Sequence, residues 1–301
     1  MTAHICTDPD CSLQNSRVLL HHEASYSRDG CPSQFSCEFR LCDRCHMGFV
    51  NPVPTPDVLA CFYTGDYAYY QDSGQHPATE ARSWKYRVAG LRYRNLISSS
   101  AMNWLLSVAA AGIELLARKT ITFTLGVPLT LPKEARILDY GYGTGSWLLS
   151  MRMLGYSHLL GYDIASNVQR RNELEARGIQ VIPPAGLSSL AAGSLDCVRL
   201  EHVFEHLADP LEVLQSLFRL LRPKGLLLMT FPTIYPWLRF EDLSSCPCLE
   251  YLQLPIHLAH HSLESSARLV QTSGFERIVS RITAREQFIT LMARKPATAD
   301  L

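Results

Sequence analysis

From residue 136 onward, short apolar runs alternate with longer stretches whose apolar residues recur every three or four positions. The short runs read as strands and the periodic stretches as helices. Residues 136–139 are then a strand broken by a glycine-rich turn, and 146–154 the helix after it. Residues 158–163 read as a second strand ending in a carboxylate, 167–177 as a polar helix stopped by Gly178, and 179–182 as a third strand stopped by Pro183 and Pro184. Residues 196–200 give a fourth strand and 209–221 a helix ending at Pro223-Lys224-Gly225. The fifth strand, 226–231, is almost wholly apolar, as expected of a strand buried on both faces. After a last helix at 263–273, residues 279–282 and 288–292 can close the sheet as a hairpin. The alternation predicts an α/β, Rossmann-like, doubly wound and mostly parallel sheet with a closing antiparallel hairpin, its ligand at the C-terminal ends of the strands.

Composition narrows the class. A chain of 301 residues, 47% hydrophobic, is about two domains' worth and excludes global disorder. With 28 basic and 28 acidic residues, gripping a phosphate backbone is not its main business. The N-terminus lacks a basic segment followed by an apolar core, so no signal peptide is read. The most apolar stretch, 101–117, carries Asn103 and Glu114 and falls short of the ~20 residues of a spanning helix. These features predict a soluble, cytoplasmic protein, in which ten cysteines are metal ligands or buried thiols before disulfides. Charge and cysteine divide the chain into a Cys-rich head at 1–66 (four basic residues against eight acidic), a basic and aromatic cap or connector at 67–133, and a long part at 134–301.

The sharpest motif is Asp139-Tyr140-Gly141-Tyr142-Gly143-Thr144-Gly145 at the end of the first strand. Alternate glycines let the strand turn tightly and present bare backbone N–H groups to a ligand. A dinucleotide loop wants G-x-G-x-x-G, whereas position 146 is serine. D-x-G-x-G-x-G fits instead an S-adenosylmethionine (SAM) loop. Asp163, at the end of the second strand, stands where a carboxylate accepts the ribose hydroxyls. Tyr140 and Tyr142 are expected to wall the cofactor.

Residues 135–292 resemble the class I SAM-dependent methyltransferases, and within them the branch with an N-terminal zinc knuckle that acts on sugars, lipids and other small metabolites. Glu201-His202-Val203-Phe204-Glu205-His206-Leu207-Ala208-Asp209-Pro210 is similar to the family's "LEH-x-x-DP" turn. Leu221-Arg222-Pro223-Lys224-Gly225 is similar to its "L-x-P-G-G" turn, with Lys224 at a usual glycine. Residues 254–262 resemble its "P-x-H-L-x-x-F-S" segment, with His261 in place of the aromatic. The region after the third strand lacks the carboxylate that holds adenine in many relatives.

The resemblance implies SAM as cofactor, held by Asp139, Tyr140, Gly141, Gly143, Gly145, Asp163 and His202. It implies His202 as the general base beside the transferred methyl, with His257 second and His206 third. For each histidine a packed or surface imidazole stays open, and Glu205-His206 is also readable as a pair that fixes the turn. In the head, Cys42-Asp-Arg-Cys45 followed by Gly48-Phe49 and Asn51-Pro52 resembles the second zinc knuckle. Cys6, Cys11, Cys42 and Cys45 would then hold a structural Zn²⁺, with Cys31/Cys37 as an alternative first pair and no metal as a third reading. Residues 61–70 resemble the stretch that closes over the cofactor pocket.

The expected activity is methyl transfer from SAM to a small-molecule acceptor: a sugar, lipid or secondary metabolite. Trp84-Lys85-Tyr86-Arg87 and Arg92-Tyr93-Arg94 suit an anionic acceptor, or a solvated helix face. Two other readings stay open. One is an rRNA or tRNA methyltransferase with the head as RNA reader, which the head's acidity disfavours. The other is a non-catalytic binding module on the same fold. Residues 101–117 are readable as a membrane-surface helix, a helix packed on the sheet, or a homodimer contact.

Overall fold

In the computed structural model, residues 13–25, 34–64, 131–165, 168–244, 246, 252–282 and 287–297 are described. Strands β4 (Arg136–Tyr140), β5 (His158–Tyr162), β6 (Gln180–Ile182), β7 (Leu195–Glu201), β8 (Leu221–Pro232), β10 (Glu276–Ile282) and β11 (Phe288–Arg294) form one seven-stranded sheet. Its order is β10-β11-β8-β7-β4-β5-β6. The five strands from β8 to β6 run parallel, and β11 and β10 close the edge antiparallel. The doubly wound sheet and its closing hairpin are therefore both present.

Successive residues on a strand point to opposite faces, and the core divides accordingly. On one face Ile137, Leu159, Cys197 and Leu228 meet helix α2 (Ser146–Met153) through Trp147, Leu148 and Met151, and helix α3 (Val168–Ala176) through Leu174. On the other, Leu138, Leu160, Val198 and Leu227 meet helix α4 (Pro210–Leu220) and helix α5 (Leu263–Thr272). The Asp-Pro of the turn motif starts α4: the Asp209 side chain accepts the Glu212 N–H at 2.9 Å, and Pro210 occupies the first turn, where its missing N–H costs nothing. Lys224 has φ 65°, a conformation that favours glycine and accounts for the glycine usual there in the resembled family.

The head contributes β1 (Ser16–Ser25), β2 (Gln34–Cys42), β3 (Gly48–Asn51) and helix α1 (Pro56–Thr64). β1, β2 and β3 pair antiparallel, and the fourth strand of their sheet, β9 (Ala259–His260), comes from the C-terminal part. Leu19, Phe39 and Val50 pack with Ile234, Trp237 and Leu252. The Ser262 hydroxyl donates to the Cys45 carbonyl at 2.7 Å. Head and C-terminal part thus share a core, one that the head, expected as a small zinc-ribbon-like unit, does not form by itself. Cys61, in α1, is disulfide-bonded, which corrects the expectation of thiols at that position. Residues 84–94 and 101–117 lie outside the described residues, as do Cys6, Cys11 and Cys31. Among the described residues, no helix is long and apolar enough to cross a membrane.

Candidate active site

A cavity of about 790 Å³ opens at the C-terminal ends of β4, β5, β7 and β8, where a doubly wound sheet binds its ligands. Pro56, Leu59 and Ala60 of α1, just ahead of the expected closing segment at 61–70, form part of its wall. Residues 65–70 lie outside the described residues.

One wall is the glycine loop. Gly141 has φ +80°, and a Cβ there would meet a Val203 methyl at 2.3 Å. Gly145 has φ +69° and lies against Leu174. Both positions need glycine for conformation and for space. Asp163 is 4% exposed; one carboxylate oxygen accepts the Gly143 N–H at 2.7 Å and the other the Ala165 N–H at 2.8 Å. Burial pushes its carboxyl up, and these two N–H donors oppose the shift. Asp163 therefore stands at the cavity already oriented by backbone donors, with lone pairs remaining for ribose hydroxyls. Tyr140 and Tyr162 stack at 4.8 Å and line the same wall. A carboxylate held this way, over a loop where side chains cannot fit, suits the nucleoside part of SAM.

Not every residue of the motif reaches the cavity. Asp139 is fully buried behind the loop, where Arg199 donates to its Oδ1 at 2.6 Å. Burial pushes the Asp139 carboxyl up and the guanidinium pulls it back. Arg199 also pairs with Glu201, which does line the cavity, and its guanidinium lies over Trp147 at 4.4 Å. Asp139 and Gly145 thus support the loop from behind. Tyr142 is likewise part of the core against Gly161, which corrects its expected place in the cofactor wall.

The opposite wall collects the histidines. His202, Glu205, His206 and His257 all line it. His202 follows β7 with φ 54°, its side chain 42% exposed and edge-on to Phe288 at 5.1 Å. A histidine in the left-handed region stores about 1–3 kcal/mol of strain, a feature that concentrates at functional sites. Its Nδ1 lies 3.4 Å from Glu205 Oε1. Glu205 is fully buried, and neither carboxylate oxygen has a hydrogen bond. Burial pushes its carboxyl up, but His202, His206 and His257 outweigh that and hold it down at about 2.

Burial dominates the histidines in turn: it lowers His206 and His260 and takes His257 well below the usual imidazole range. His206 Nδ1 sits 3.0 Å from the Ile256 carbonyl, and its ring is 4.8 Å from that of His257. His260 lies between the Thr233 and Leu252 carbonyls at 3.3 Å each. His261 stacks on Phe204 at 4.3 Å and meets Phe231 edge-on, so it does the packing work of the aromatic it replaces. Of the three expected catalytic histidines, the fold brings all to one wall. The residue that sequence reading undervalued is Glu205, whose side chain is the buried centre of the group. Its signal was its position between two histidines in one turn.

The "Methyltransferase domain" family matches residues 109–280, more than half of the chain. The ubiquinone biosynthesis O-methyltransferase of Xanthomonas axonopodis pv. citri is 34% identical over 106 residues, 33% of this chain and 44% of that protein. The tRNA 5-carboxymethoxyuridine methyltransferase of Escherichia coli K12 is 33% identical over 107 residues, 33% of this chain and 41% of that one. The chain thus spans less than half the length of these curated relatives. An S-adenosylmethionine-dependent methyltransferase from Mesorhizobium loti aligns in structure at 17% identity and a TM-score of 0.43, covering 55% of this chain and 94% of that one.

Proposed function

The chain belongs to the methyltransferase domain family, and from that premise we propose that it is a SAM-dependent methyltransferase acting on an uncharged small molecule. The observation that carries this reading is the cavity lining. It holds Asp163, Glu201 and Glu205 and, among the described residues, no Lys or Arg. Three carboxylates, with no Lys or Arg beside them among the described lining residues, disfavour phosphate, so a nucleic-acid backbone fits this part of the pocket poorly. The two curated relatives divide between a quinone-pathway O-methyltransferase and a tRNA methyltransferase, and the lining favours the first kind of acceptor. A sugar, lipid or secondary metabolite without an anionic group fits; residues 84–94, which would serve an anionic one, lie outside the described residues.

When bound, SAM supplies a methyl group on a positively charged sulfur. Asp163 holds the ribose hydroxyls, the Gly141–Gly145 loop leaves room for the methionine part, and Tyr140 with Tyr162 walls the pocket. The remaining work is to position the acceptor and exclude water. His202, at the end of β7, takes the acceptor's proton on Nε2 while Glu205 orients Nδ1, and such a base contributes roughly 10²–10⁴-fold. His206 and His257 shape the acceptor end.

The reading includes a structural Zn²⁺ in the head. Cys42 and Cys45 are both buried at one turn, where the Cys42 carbonyl accepts the His46 N–H at 3.0 Å, a knuckle-like bend that suits two thiolates of a tetrahedral site. Cys6 and Cys11 complete the set. Purified protein is then expected to carry zinc, of which Cys42→Ser removes the thiolate-bound equivalent; a metal-free, well-folded preparation would end this part.

The test of the activity is label transfer from methyl-labelled SAM into a neutral metabolite fraction and, separately, into bulk tRNA. Label in the metabolites supports the reading, and label in tRNA overturns the acceptor class. Failure of the folded protein to bind SAM by calorimetry overturns the reading as a whole.

A further inference from the structure

We propose that Glu205, His206 and His257 form a binding site for a divalent transition-metal ion of the zinc class, at the acceptor end of the cavity. One ligand atom from each lies within 4.8 Å of the others. Ligand atoms around a tetrahedral ion with bonds of about 2.0–2.2 Å stand about 3.3–3.6 Å apart, so binding would draw these atoms together by about 1.5 Å at most.

Three further observations point to a cation. Glu205 is fully buried, with only His202 Nδ1 at 3.4 Å from Oε1 and no hydrogen bond on Oε2, an oxygen left for a positive charge to meet. The Ile256 carbonyl can only accept, so His206 donates from Nδ1 and carries its lone pair on Nε2; this is how carbonyl partners set the tautomer of metal-bound histidines. His257 is 7% exposed, and its buried Nδ1 has no hydrogen-bond partner.

The neighbours also delimit the set. His260 is committed to two backbone carbonyls. His202 meets Oε1 of Glu205, which leaves Oε2 for the ion. The ligands sit on two segments that are tied together, since the Glu205 carbonyl accepts the Leu258 N–H at 2.7 Å. Two imidazoles and one carboxylate suit Zn²⁺, Mn²⁺, Fe²⁺ or Co²⁺ better than Ca²⁺ or Mg²⁺. Three protein ligands beside a cavity leave a coordination position open, the pattern of catalytic sites and not of closed structural ones. The ion's role, fixing the acceptor's nucleophilic atom beside the donor methyl, rests on the methyl-transfer reading; its binding does not.

Co²⁺ titration of the chelator-stripped full chain tests the site by visible absorption, because sulfur-to-metal charge transfer marks thiolate-bound Co²⁺ and an N/O site lacks it. One equivalent with bands free of sulfur charge transfer is expected, retained in Cys42→Ser and weakened tenfold or more in Glu205→Gln and in His257→Gln. Absence of such bands in folded wild-type protein overturns the site, and so does unchanged affinity in both substituted proteins. SAM calorimetry on the same wild-type sample separates the two readings. SAM binding without a Co²⁺ site removes the metal alone, whereas Co²⁺ binding without SAM binding removes the proposed function and leaves the metal.

Discussion

Asp163 and Glu205 face one cavity from opposite walls, and each is almost wholly buried. Asp163 has an N–H donor on each oxygen, supplied by its own loop and the glycine turn beside it. Glu205 has only His202 Nδ1 near Oε1, at 3.4 Å, no hydrogen bond on Oε2, and a carboxyl held down by the histidines around it. The first wall is complete before any ligand arrives, which is what preorganised binding requires. The second holds a buried carboxylate whose partners are imidazoles, with one oxygen left for a ligand or ion to complete. The difference separates a platform for the common methyl donor from a region whose chemistry depends on what enters.

The largest expected effect lies behind the complete wall. Arg199→Met strands Asp139 as a buried, unpaired carboxylate and is expected to cost about 3–5 kcal/mol of unfolding free energy in urea. A loss below about 1 kcal/mol would show that the loop does not depend on that ion pair.

The next effect concerns pH and the histidine wall. His261 is held at about 3 by burial, with Glu205 and His260 as its charged or titratable neighbours, against about 6.5 in the unfolded chain. Between those values the unfolded state binds more protons, so stability is full above pH 6.5 and falls as pH drops. At about 1.4 kcal/mol per pH unit, the loss at pH 5 is about 2 kcal/mol from this residue alone. His260 and His257 push in the same direction. His261→Phe keeps the stacking on Phe204 and is expected to remove most of its share. An identical pH 7 to pH 5 drop in both proteins would take His261 out of the account.

Asp163→Ala is expected to weaken SAM binding tenfold or more, about 1.4 kcal/mol, with the circular dichroism spectrum unchanged. Unchanged affinity would remove Asp163 from the ribose. The smallest effect lies on the second wall. Glu205→Gln in chelator-stripped protein is expected to cost about 1 kcal/mol at pH 7, because the surrounding histidines hold the Glu205 carboxyl at about 2 and its ionised form therefore favours the folded state. Unchanged or higher stability would mean that the histidines do not hold the carboxylate, and the contrast between the walls would widen.

Much of the large sheet was legible because its signals are local. The strand at 136–139 came out as Arg136–Tyr140, and the helix at 263–273 as Leu263–Thr272. Apolar periodicity reports which residues face a core, and here β4, β5 and β7 are each followed by an α-helix packed on the sheet. The head shows the opposite. Phe35, Cys37, Phe39 and Leu41 alternate as a strand should, yet paired cysteines dominated the reading of that segment. Tyr142 was misjudged for a related reason, since a residue inside a ligand-binding loop can still point into the core.

By itself the sequence determined the alternation of strands and helices, the glycine turn, and the carboxylate at the end of the neighbouring strand. These follow from backbone sterics, side-chain period and one parallel pairing. Only the tertiary structure decided that β9 would complete the head's sheet, that Asp139 would turn away to Arg199, and that His257 would meet Glu205 and His206 across some fifty residues. Such meetings depend on where the chain crosses itself and in what register. A local pattern carries no record of that, because the same period places a residue on a face without naming what lies opposite.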